Sequence, residues 1–498
     1  MRHQRTEMKG SNPDGFFLKK LGEREQLKDI LIAMSCLVVV NLTGILSPSL
    51  NVDDYSQFGG DVSAWAEGGR WLLGPLFEWI TLSAHAPSLL SLLGSILLAA
   101  TGFVIALALG ARAGATRVLT AVAFGGHPYF IDLMNFNTAV LAYPLAFLMA
   151  ATAVLISGMG RRSLAIPIGA LLFCFSLAIY QASLGLFASL FVLLLGFKIA
   201  LSSIKKETNI PVSIWPLTLI GFFGLLSYAA LTRFVVSSSS KRLDLISTTE
   251  DISNKFFYLY YSLQNTLLTT EVLLPGVTKV ILFCLFLLAG YSTLSYAGRI
   301  ASSAFKSFVF FTAIIAALFL ALLAGYTPTL PVHTGLPPRA MLGHAVFTAA
   351  FIYLIFSFGT RNARLAGFVL SSILLFQYAI ISNELMYKQK LLESLDMSMA
   401  ASLHERISGE PGYSPGKKYE IVYLGEHRGP WRPQASVLQS AFERDWSRRD
   451  ILRLHGLDVV TASANGHAWA MEKKERLKIW PAQGSILVTE QLIVVRFE

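Results

Sequence analysis

About eleven apolar runs, each close to 20 residues long, restrict what this chain can fold into. A helix needs about 20 apolar residues to cross the roughly 30 Å hydrocarbon core of a bilayer. Only helices and closed barrels satisfy their backbone hydrogen bonds there. The runs lie near residues 29–48, 88–110, 116–131, 138–158, 163–181, 184–203, 212–232, 276–297, 307–326, 340–358 and 365–385. The sequence therefore predicts a mainly α-helical, polytopic membrane protein.

Composition excludes an ordinary soluble protein. Of the 498 residues, 54% are hydrophobic and 14% are charged, which is typical of membrane proteins. The net charge of +10 would suggest nucleic acid in a soluble protein. Much of this charge lies in short connections between the runs, so topology explains it and we expect no nucleic-acid partner. Residues 1–28 are polar without a cleavage site, so we expect the first run to stay as an anchor.

Basic residues set the expected orientation. One set of connections is rich in Lys and Arg, and the alternate connections near 132–137 and 180–184 have none. The basic connections contain Arg112, Arg117, Arg161, Arg162, Lys198, Lys205, Lys206, Arg299, Lys306, Arg361 and Arg364. By the positive-inside rule these face the cytoplasm together with residues 1–28. The loops 49–87, 132–137, 233–275 and 327–340 are then periplasmic if the membrane is the bacterial inner membrane.

The tail, residues 386–498, changes character and is expected on the same side as those loops. Leu391, Leu395, Met399 and Leu403 recur at every fourth position, which predicts an amphipathic helix over 386–408. Further on, the pattern predicts strands over Tyr419–Leu424, Asp458–Thr461 and Ile486–Phe497, with a helix near 435–454. We therefore expect a small C-terminal α/β or α+β domain.

Two adjacent carboxylates, Asp53 and Asp54, follow the first run and are the best candidates for catalysis. Transfer of a sugar to a hydroxyl needs a carboxylate that accepts the hydroxyl proton. Successive residues usually point in different directions, so we expect one to be the base and the other structural. A solvated turn is the alternative, because Asp favours such turns. The aromatic spacing from Trp65 to Trp79 favours catalysis, since it predicts an interfacial helix in the same loop.

Arg70 and Arg339 lie on the side where the positive-inside rule disfavours arginine. A lipid phosphate would explain them, because a guanidinium offers a planar fork of donors. Simple contact with phospholipid headgroups is the alternative.

A further set of polar residues could contact a sugar or an acceptor. Its members are Glu78, His127, Asp132, Tyr180 and Gln181. Loop capping and helix–helix hydrogen bonds are the alternatives for these residues. The lone histidines His333 and His344 have no metal-ligand spacing, and the three cysteines lie in apolar runs without a CxxC pair.

Taken together, the chain resembles the serotype-converting O-antigen glucosyltransferases (Gtr type II), which are polytopic enzymes of the GT-C class. The resemblance covers most of residues 29–400. It rests on Asn51-Val52-Asp53-Asp54-Tyr55, Gly69-Arg70-Trp71, Pro128-Tyr129-Phe130, Tyr180-Gln181 and Asn383-Glu384-Leu385. Asp132 departs from the pattern, in which we would expect Glu.

The resemblance implies an acidic catalytic role for Asp53 or Asp54 and donor binding by Arg70. It also implies a polyprenyl-phosphate sugar donor, commonly the glucose derivative, and transfer to a glycan on the periplasmic face. A phosphomonoester leaving group carries less charge than a diphosphate, so we expect no cofactor to be required; a divalent metal such as Mg²⁺ is the alternative.

Two other functions stay as alternatives. A transporter or flippase for a lipid-linked glycan would predict ionisable residues near the middle of the spans and paired halves. Here the charges cluster at the ends of the runs, and no internal repeat is visible. An O-antigen ligase or polymerase would instead use a diphosphate-linked donor.

Overall fold

The computed structural model describes residues 24–57, 65–66, 68–81, 86–204, 210–235, 273–329, 337–431, 433 and 437–498, together with the isolated positions 254, 257, 260 and 264. Most of the predicted loop 233–275 and His333 in the loop 327–340 lie outside the described residues.

Helices make up most of the described chain. In order they are α1 (Arg24–Val40), α2 (Leu42–Leu46), α3 (Val52–Gln57), α4 (Leu73–Thr81), α5 (Pro87–Ala108), α6 (Ala115–Gly125), α7 (Tyr129–Met134), α8 (Ala142–Ile156), α9 (Arg162–Ile179), α10 (Ser183–Ser203), α11 (Ile214–Val235), α12 (Gly276–Ile300), α13 (Ala304–Ala324), α14 (Leu342–Phe358), α15 (Arg361–Ser408), α16 (Asp445–Leu454) and α17 (Ala464–Lys473).

Every predicted apolar run coincides with a helix, which confirms the polytopic fold. By length and composition, seven helices of the described chain could cross a membrane, namely α5, α9, α10, α11, α12, α13 and α15. The helices on the other four runs are shorter: α1 and α14 have 17 residues, α8 has 15 and α6 has 11.

Small residues let the apolar helices approach each other closely. A Cβ atom on Gly102 of α5 would lie 2.2 Å from the carbonyl oxygen of Ala121 on α6. Such close approach is typical of helix pairs in membranes, where dispersion contacts replace the hydrophobic effect between helices.

The connections gather at two ends of the helix bundle. At the basic end, Arg117 forms a buried ion pair with Asp29 of α1, with 3.2 Å between Nη1 and Oδ2. Arg299 donates to the carbonyl oxygen of Phe358 at the same end. At the opposite end, α3, α7, the turn at Tyr180 and the 3₁₀ turn Pro338–Ala340 come together. We call this the loop end, and it gathers the described parts of the loops that the sequence predicts on one side of the membrane.

One detail of the first loop differs from the prediction. No single helix runs from Trp65 to Trp79: α4 begins only at Leu73, and residues 68–72 form turns. Gly68 and Gly69 explain the break, because glycine favours turns over a helix interior. Trp65 is buried, whereas Trp79 on α4 is 74% exposed.

The span and the amphipathic helix predicted for residues 365–408 form one continuous helix, α15, with 48 residues. The predicted apolar stripe is only partly right: Leu403 is buried, but Leu391 is 39% and Leu395 is 52% exposed. At those two positions the buried residue is the next one, about 100° further around the helix. The buried face consists of Gln389, Leu392, Asp396, Ala400, Leu403 and Ile407. Gln389 and Asp396 are thus part of the contact face, so the spacing of apolar residues alone does not predict that face.

The tail beyond α15 contains a four-stranded sheet, as the fold class predicts. The strands are β1 (Tyr419–Leu424), β2 (Val459–Thr461), β3 (Ile486–Val488) and β4 (Leu492–Arg496), in the order β2-β1-β4-β3. β1 is parallel to β2 and β4, and β3 pairs antiparallel with β4. The single strand predicted over Ile486–Phe497 is therefore a hairpin. The helix predicted near 435–454 begins only at Asp445, and α17 was not predicted.

Two polar side chains of α15 attach the tail domain to the helix bundle. The carboxylate of Asp396 accepts hydrogen bonds from Ser440 Oγ at 2.6 Å and from the Ala441 amide at 2.7 Å. Gln389 accepts from the Leu438 amide at 2.6 Å and donates to the Leu50 carbonyl at 3.3 Å. The tail domain is therefore tied both to α15 and to the segment that leads into α3.

We predict a specific pH dependence from Asp396. Burial raises its pKa to about 6, although hydrogen bonds from Ser440 and Ala441 oppose the shift. A pKa raised in the folded state means that the stabilisation is complete below the unfolded value and is lost as the pH rises through about 6. Between pH 4 and 6 the wild type should lose up to about 1.4 kcal/mol per pH unit relative to Asp396→Asn.

Thermal unfolding of the full chain in detergent at several pH values measures this difference. Asp396→Asn keeps a hydrogen-bonding group of the same shape, and Glu426→Gln at an exposed position of the tail is the matched control. An Asp396→Asn protein whose stability changes with pH as steeply as that of the wild type would contradict the prediction.

Candidate active site

Asp54 is completely buried, and both of its carboxylate oxygens are saturated with hydrogen bonds. Oδ2 accepts from the Asn51 amide at 3.1 Å, from the Asn137 amide at 3.3 Å and from Asn137 Nδ2 at 3.0 Å. Oδ1 accepts from the amide and the hydroxyl of Thr138, at 3.3 and 3.2 Å. One side chain thus joins α3 to the segment after α7, residues 83 and 84 positions further along the chain.

The environment of Asp54 fits a structural role. Burial raises its pKa to about 6, while the hydrogen bonds from Asn51, Asn137 and Thr138 act in the opposite direction. All of these partners present donors, so they stabilise the ionised carboxylate. With five hydrogen bonds already made and no exposed surface, this carboxylate cannot reach a substrate hydroxyl.

Asp53 has a different environment one position earlier in α3. Its side chain is only partly buried. Its backbone amide donates to Asn51 Oδ1 at 2.6 Å, which fixes the start of α3. Successive helical side chains diverge by about 100°, so Asp53 does not share the enclosed surroundings of Asp54. Of the two carboxylates, Asp53 is thus the less enclosed.

Arg339 forms an ion pair with Asp132 at the loop end. Arg339 Nη1 lies 2.9 Å from Asp132 Oδ2, and the Arg339 amide donates to the same oxygen at 3.3 Å. The Asp132 side chain is fully buried and that of Arg339 is 19% exposed. The guanidinium carbon also lies 4.4 Å from the centroid of the Phe136 ring. The positive charge of Arg339 is therefore largely neutralised within the protein.

Arg70 is held by neutral groups instead. Its Nε donates to Gln181 Oε1 at 3.3 Å and its Nη1 donates to the Tyr143 hydroxyl at 3.0 Å. No carboxylate within the described ranges forms an ion pair with Arg70. Within the described residues, the charge of Arg70 is therefore not balanced by a carboxylate, whereas that of Arg339 is.

The turn that carries Arg70 is fastened to α11 and to the turn after α9. Gln181 Nε2 donates to the Gly68 carbonyl at 2.7 Å, and the Tyr228 hydroxyl donates to the Gly69 carbonyl at 3.1 Å. Gly69 has a φ of 77°, a conformation that side chains disfavour. A Cβ there would also lie 2.8 Å from the Tyr228 hydroxyl. The glycine is thus required by the approach of Tyr228.

Aromatic rings form a row between the two guanidinium groups. Tyr143 and Tyr180 stack with centroids 4.0 Å apart and planes at 15°, and Phe136 lies 6.4 Å from Tyr143. Arg70 lies over Tyr180 at 5.7 Å, and Arg339 lies over Phe136 at one end of the row. All three rings are buried, so the row packs the loop end together and fixes the directions of the two guanidinium groups.

The structure thus brings together most of the residues predicted from the sequence. Those at the loop end are Asp53, Asp54, Arg70, Asp132, Tyr180, Gln181 and Arg339. Glu78 is exposed on α4 and forms no ion pair within the described part of the chain. His127 is buried in helix packing, where its Nδ1 accepts from the Tyr129 amide at 3.3 Å and its ring contacts Tyr378. Among the described residues, no three His, Cys, Asp or Glu side chains are grouped as metal ligands.

Sequence reasoning missed Tyr143, Tyr228 and Thr138. The first two lie inside apolar helices, α8 and α11, where a tyrosine reads as part of the packing. A tyrosine near the end of a span is a weak signal of a polar partner, because a buried hydroxyl requires one. Nothing local marks Thr138, whose role depends on Asp54.

We predict that Asp54→Asn weakens the loop end. The amide must direct an NH₂ group at a site where the protein presents donors, so at least one hydrogen bond is replaced by an unfavourable contact. The expected loss is about 1–3 kcal/mol of unfolding free energy. Thermal unfolding in detergent measures it, and Asp53→Asn is the matched control, expected to change stability by less than about 0.5 kcal/mol. Equal stability of the Asp54→Asn and wild-type proteins would refute the structural role.

Comparison with known proteins identifies the family. The sequence model of the family described as glucosyl transferase GtrII matches residues 42–358. A comparison with curated proteins and one with solved structures gave no match. The matched range holds all of the residues gathered at the loop end, and it stops before α15 and the tail domain. It also confirms the resemblance seen in the short motifs of the sequence. The chain belongs to the glucosyl transferase GtrII family.

Proposed function

We propose that this protein transfers glucose from polyprenyl phosphate to a glycan, at the periplasmic face of a bacterial inner membrane. The observation that carries the proposal is the environment of Arg70. Its guanidinium is held by a glutamine and a tyrosine, lies beside stacked rings and has no ion-pair partner in the described chain. Maintaining such a charge at the edge of a membrane is unfavourable unless an anion binds there.

The donor phosphate supplies such an anion. An arginine fork binds phosphate oxygens through two parallel hydrogen bonds. Negative charge increases on the phosphate as the bond to the sugar breaks, so a fixed cation stabilises the transition state more than the ground state. Arg339 contributes less, because Asp132 already neutralises it. In this arrangement Gln181 and Tyr143 orient Arg70 without cancelling its charge.

Asp53 acts as the base in this proposal. Its carboxylate accepts the proton of the acceptor hydroxyl, and the hydroxyl oxygen forms a bond to the anomeric carbon. The bond between that carbon and the phosphate oxygen breaks, and polyprenyl phosphate leaves with the electron pair. A single displacement of this kind inverts the anomeric configuration. The partial exposure of Asp53 and the enclosure of Asp54 support this choice of base.

The family resemblance suggests the acceptor, and the distribution of charge suggests the orientation in the membrane. The partners would be the polyprenyl-phosphate sugar, membrane lipids and a glycan such as O-antigen, so that the product is a modified lipopolysaccharide. The excess of Lys and Arg at the basic end supports a periplasmic loop end.

We predict that Arg70→Gln impairs use of the lipid donor. Purified protein in nanodiscs is assayed with polyprenyl-phosphate glucose and a lipid-linked glycan acceptor, with Mg²⁺ and again with EDTA. Loss of the guanidinium should lower kcat/KM by at least about 100-fold, since about 2.7 kcal/mol of transition-state stabilisation corresponds to that factor. Arg70→Lys should recover only part of it, because Lys lacks the planar fork.

Arg112→Gln is the matched control, because Arg112 is an exposed cation at the basic end. It should keep wild-type kcat/KM. Wild-type use of the lipid donor by Arg70→Gln would exclude Arg70 as the phosphate ligand. Consumption of a diphosphate-linked donor in place of the monophosphate would overturn the proposed donor class.

We predict a different defect for Asp53→Asn. General base catalysis contributes about 10²- to 10⁴-fold, so kcat should fall within that range while donor binding is retained. Donor binding is measured separately with labelled polyprenyl-phosphate glucose in the absence of acceptor. If Asp53→Asn transferred glucose at the wild-type rate, the base would have to be sought elsewhere.

A further inference from the structure

A cleft of about 370 Å³ lies between α15 and the tail domain. One wall is the part of α15 near residues 392–402, and the other consists of the segments 427–430 and 480–481. Its side chains include Asp396, Ser398, Met399, His427, Pro430 and Trp480. A cavity of this size falls within the range of small-ligand sites.

Several polar groups in the cleft have no partner inside the described chain. The imidazole nitrogens of His427, the hydroxyl of Ser398 and the indole N–H of Trp480 make no hydrogen bond with any residue that the structure describes. Beside them lie the flat or rigid apolar surfaces of Trp480, Pro430 and Pro481. Flat apolar surface next to unpaired donors and acceptors matches the chemistry of a sugar, whose ring has an apolar face and a rim of hydroxyls.

The charge of the cleft selects the kind of ligand. Among the described residues of the lining, Asp396 is the one Asp, Glu, Lys or Arg side chain, and both of its oxygens already accept hydrogen bonds from Ser440 and Ala441. Burial and the nearby Arg448 lower the pKa of His427, so its ring is neutral at pH 7. The one cation at the edge of the described lining, Arg406, is already engaged, because it lies over the Trp480 ring and donates to the Pro481 carbonyl. The described lining therefore favours a neutral ligand over a phosphate or another anion.

The position of the cleft separates it from the donor lipid. Ser398 lies thirteen residues beyond Leu385, where the predicted apolar run ends, which places it about 20 Å further along the helix axis. At that distance a lipid headgroup is out of reach, whereas a chain of sugars extending from the membrane is not.

We propose that this cleft is a subsite for a neutral segment of the acceptor glycan. The sugar ring lies against Trp480 and the prolines, and its hydroxyls exchange hydrogen bonds with His427 and Ser398. This inference rests on the proposed glycosyl transfer, because it assumes a glycan acceptor. It gives the tail domain a function, which is to hold the acceptor while its target hydroxyl is near Asp53.

A binding experiment without donor tests the subsite. Lipid-free neutral oligosaccharides of two to five hexose and deoxyhexose units are titrated into the full-length protein in nanodiscs, followed by saturation-transfer NMR and calorimetry. Hexuronic acid oligomers of the same length are the anionic comparison. The wild type should bind neutral oligomers at low millimolar concentration or better and should bind the anionic ones more weakly.

Trp480→Ala should weaken this binding at least about tenfold. Trp446→Ala is the matched control, since Trp446 is a partly exposed tryptophan of the same domain and also has an arginine over its ring, Arg444 at 5.7 Å. The corresponding cation over the Trp480 ring is Arg406, whose guanidinium carbon lies 4.6 Å from the ring centroid. His427→Ala is a second cleft variant in case Trp480→Ala does not fold, and it should weaken binding about fivefold.

The outcomes separate this proposal from the proposed function. No binding of any neutral oligosaccharide, or equal binding by wild type and His427→Ala, overturns the subsite. If the cleft variants lose binding and yet no polyprenyl-phosphate sugar is ever transferred, the subsite stands and the transfer proposal fails. Arg70→Gln should keep oligosaccharide binding while it loses transfer, which distinguishes the two sites within one protein.

Discussion

The buried carboxylate of Asp54 is the interaction on which the loop end depends. It draws backbone and side-chain donors from Asn137 and Thr138 onto α3, across more than 80 residues of sequence. Burying a charge is unfavourable unless hydrogen bonds replace the lost water. Because its five donors come from two separate loops, the charge is satisfied only when these loops are together. The position of the neighbouring Asp53 is thereby a consequence of how Asp54 is bound.

The two arginines of the loop end differ in whether a carboxylate balances their charge. Arg339 is paired with Asp132, which makes it part of the framework. Gln181 and Tyr143 orient the side chain of Arg70, but they are neutral and do not balance its charge. A lone guanidinium attracts an anion more strongly than one in an ion pair, since the pair has little net field at a distance. Both arginines lie at the loop end, so their partners, and not their position, distinguish them.

The helices could be predicted because the signal for a membrane span is local: it is a continuous run of apolar residues. Each of these runs coincides with a helix. Asp53, Asp54 and Arg70 could be found because charges stand out in such a sequence. The pairing of Asp132 with Arg339 could not, because 207 residues separate them. The buried face of α15 was only partly predicted for a related reason: Gln389 and Asp396 face the tail domain, and only their hydrogen-bond partners explain why.

The tail domain supports the site although the family match ends at residue 358. Tyr55 follows the two carboxylates in α3 and is buried in the same apolar cluster as Leu403 of α15 and Phe442 of the tail. Asp54 therefore holds α3 through partners within the matched range. The next residue, Tyr55, packs against the tail domain, which lies outside that range. A displacement of the tail must move α3 or expose Tyr55, so the tail domain and the placement of Asp53 are mechanically linked.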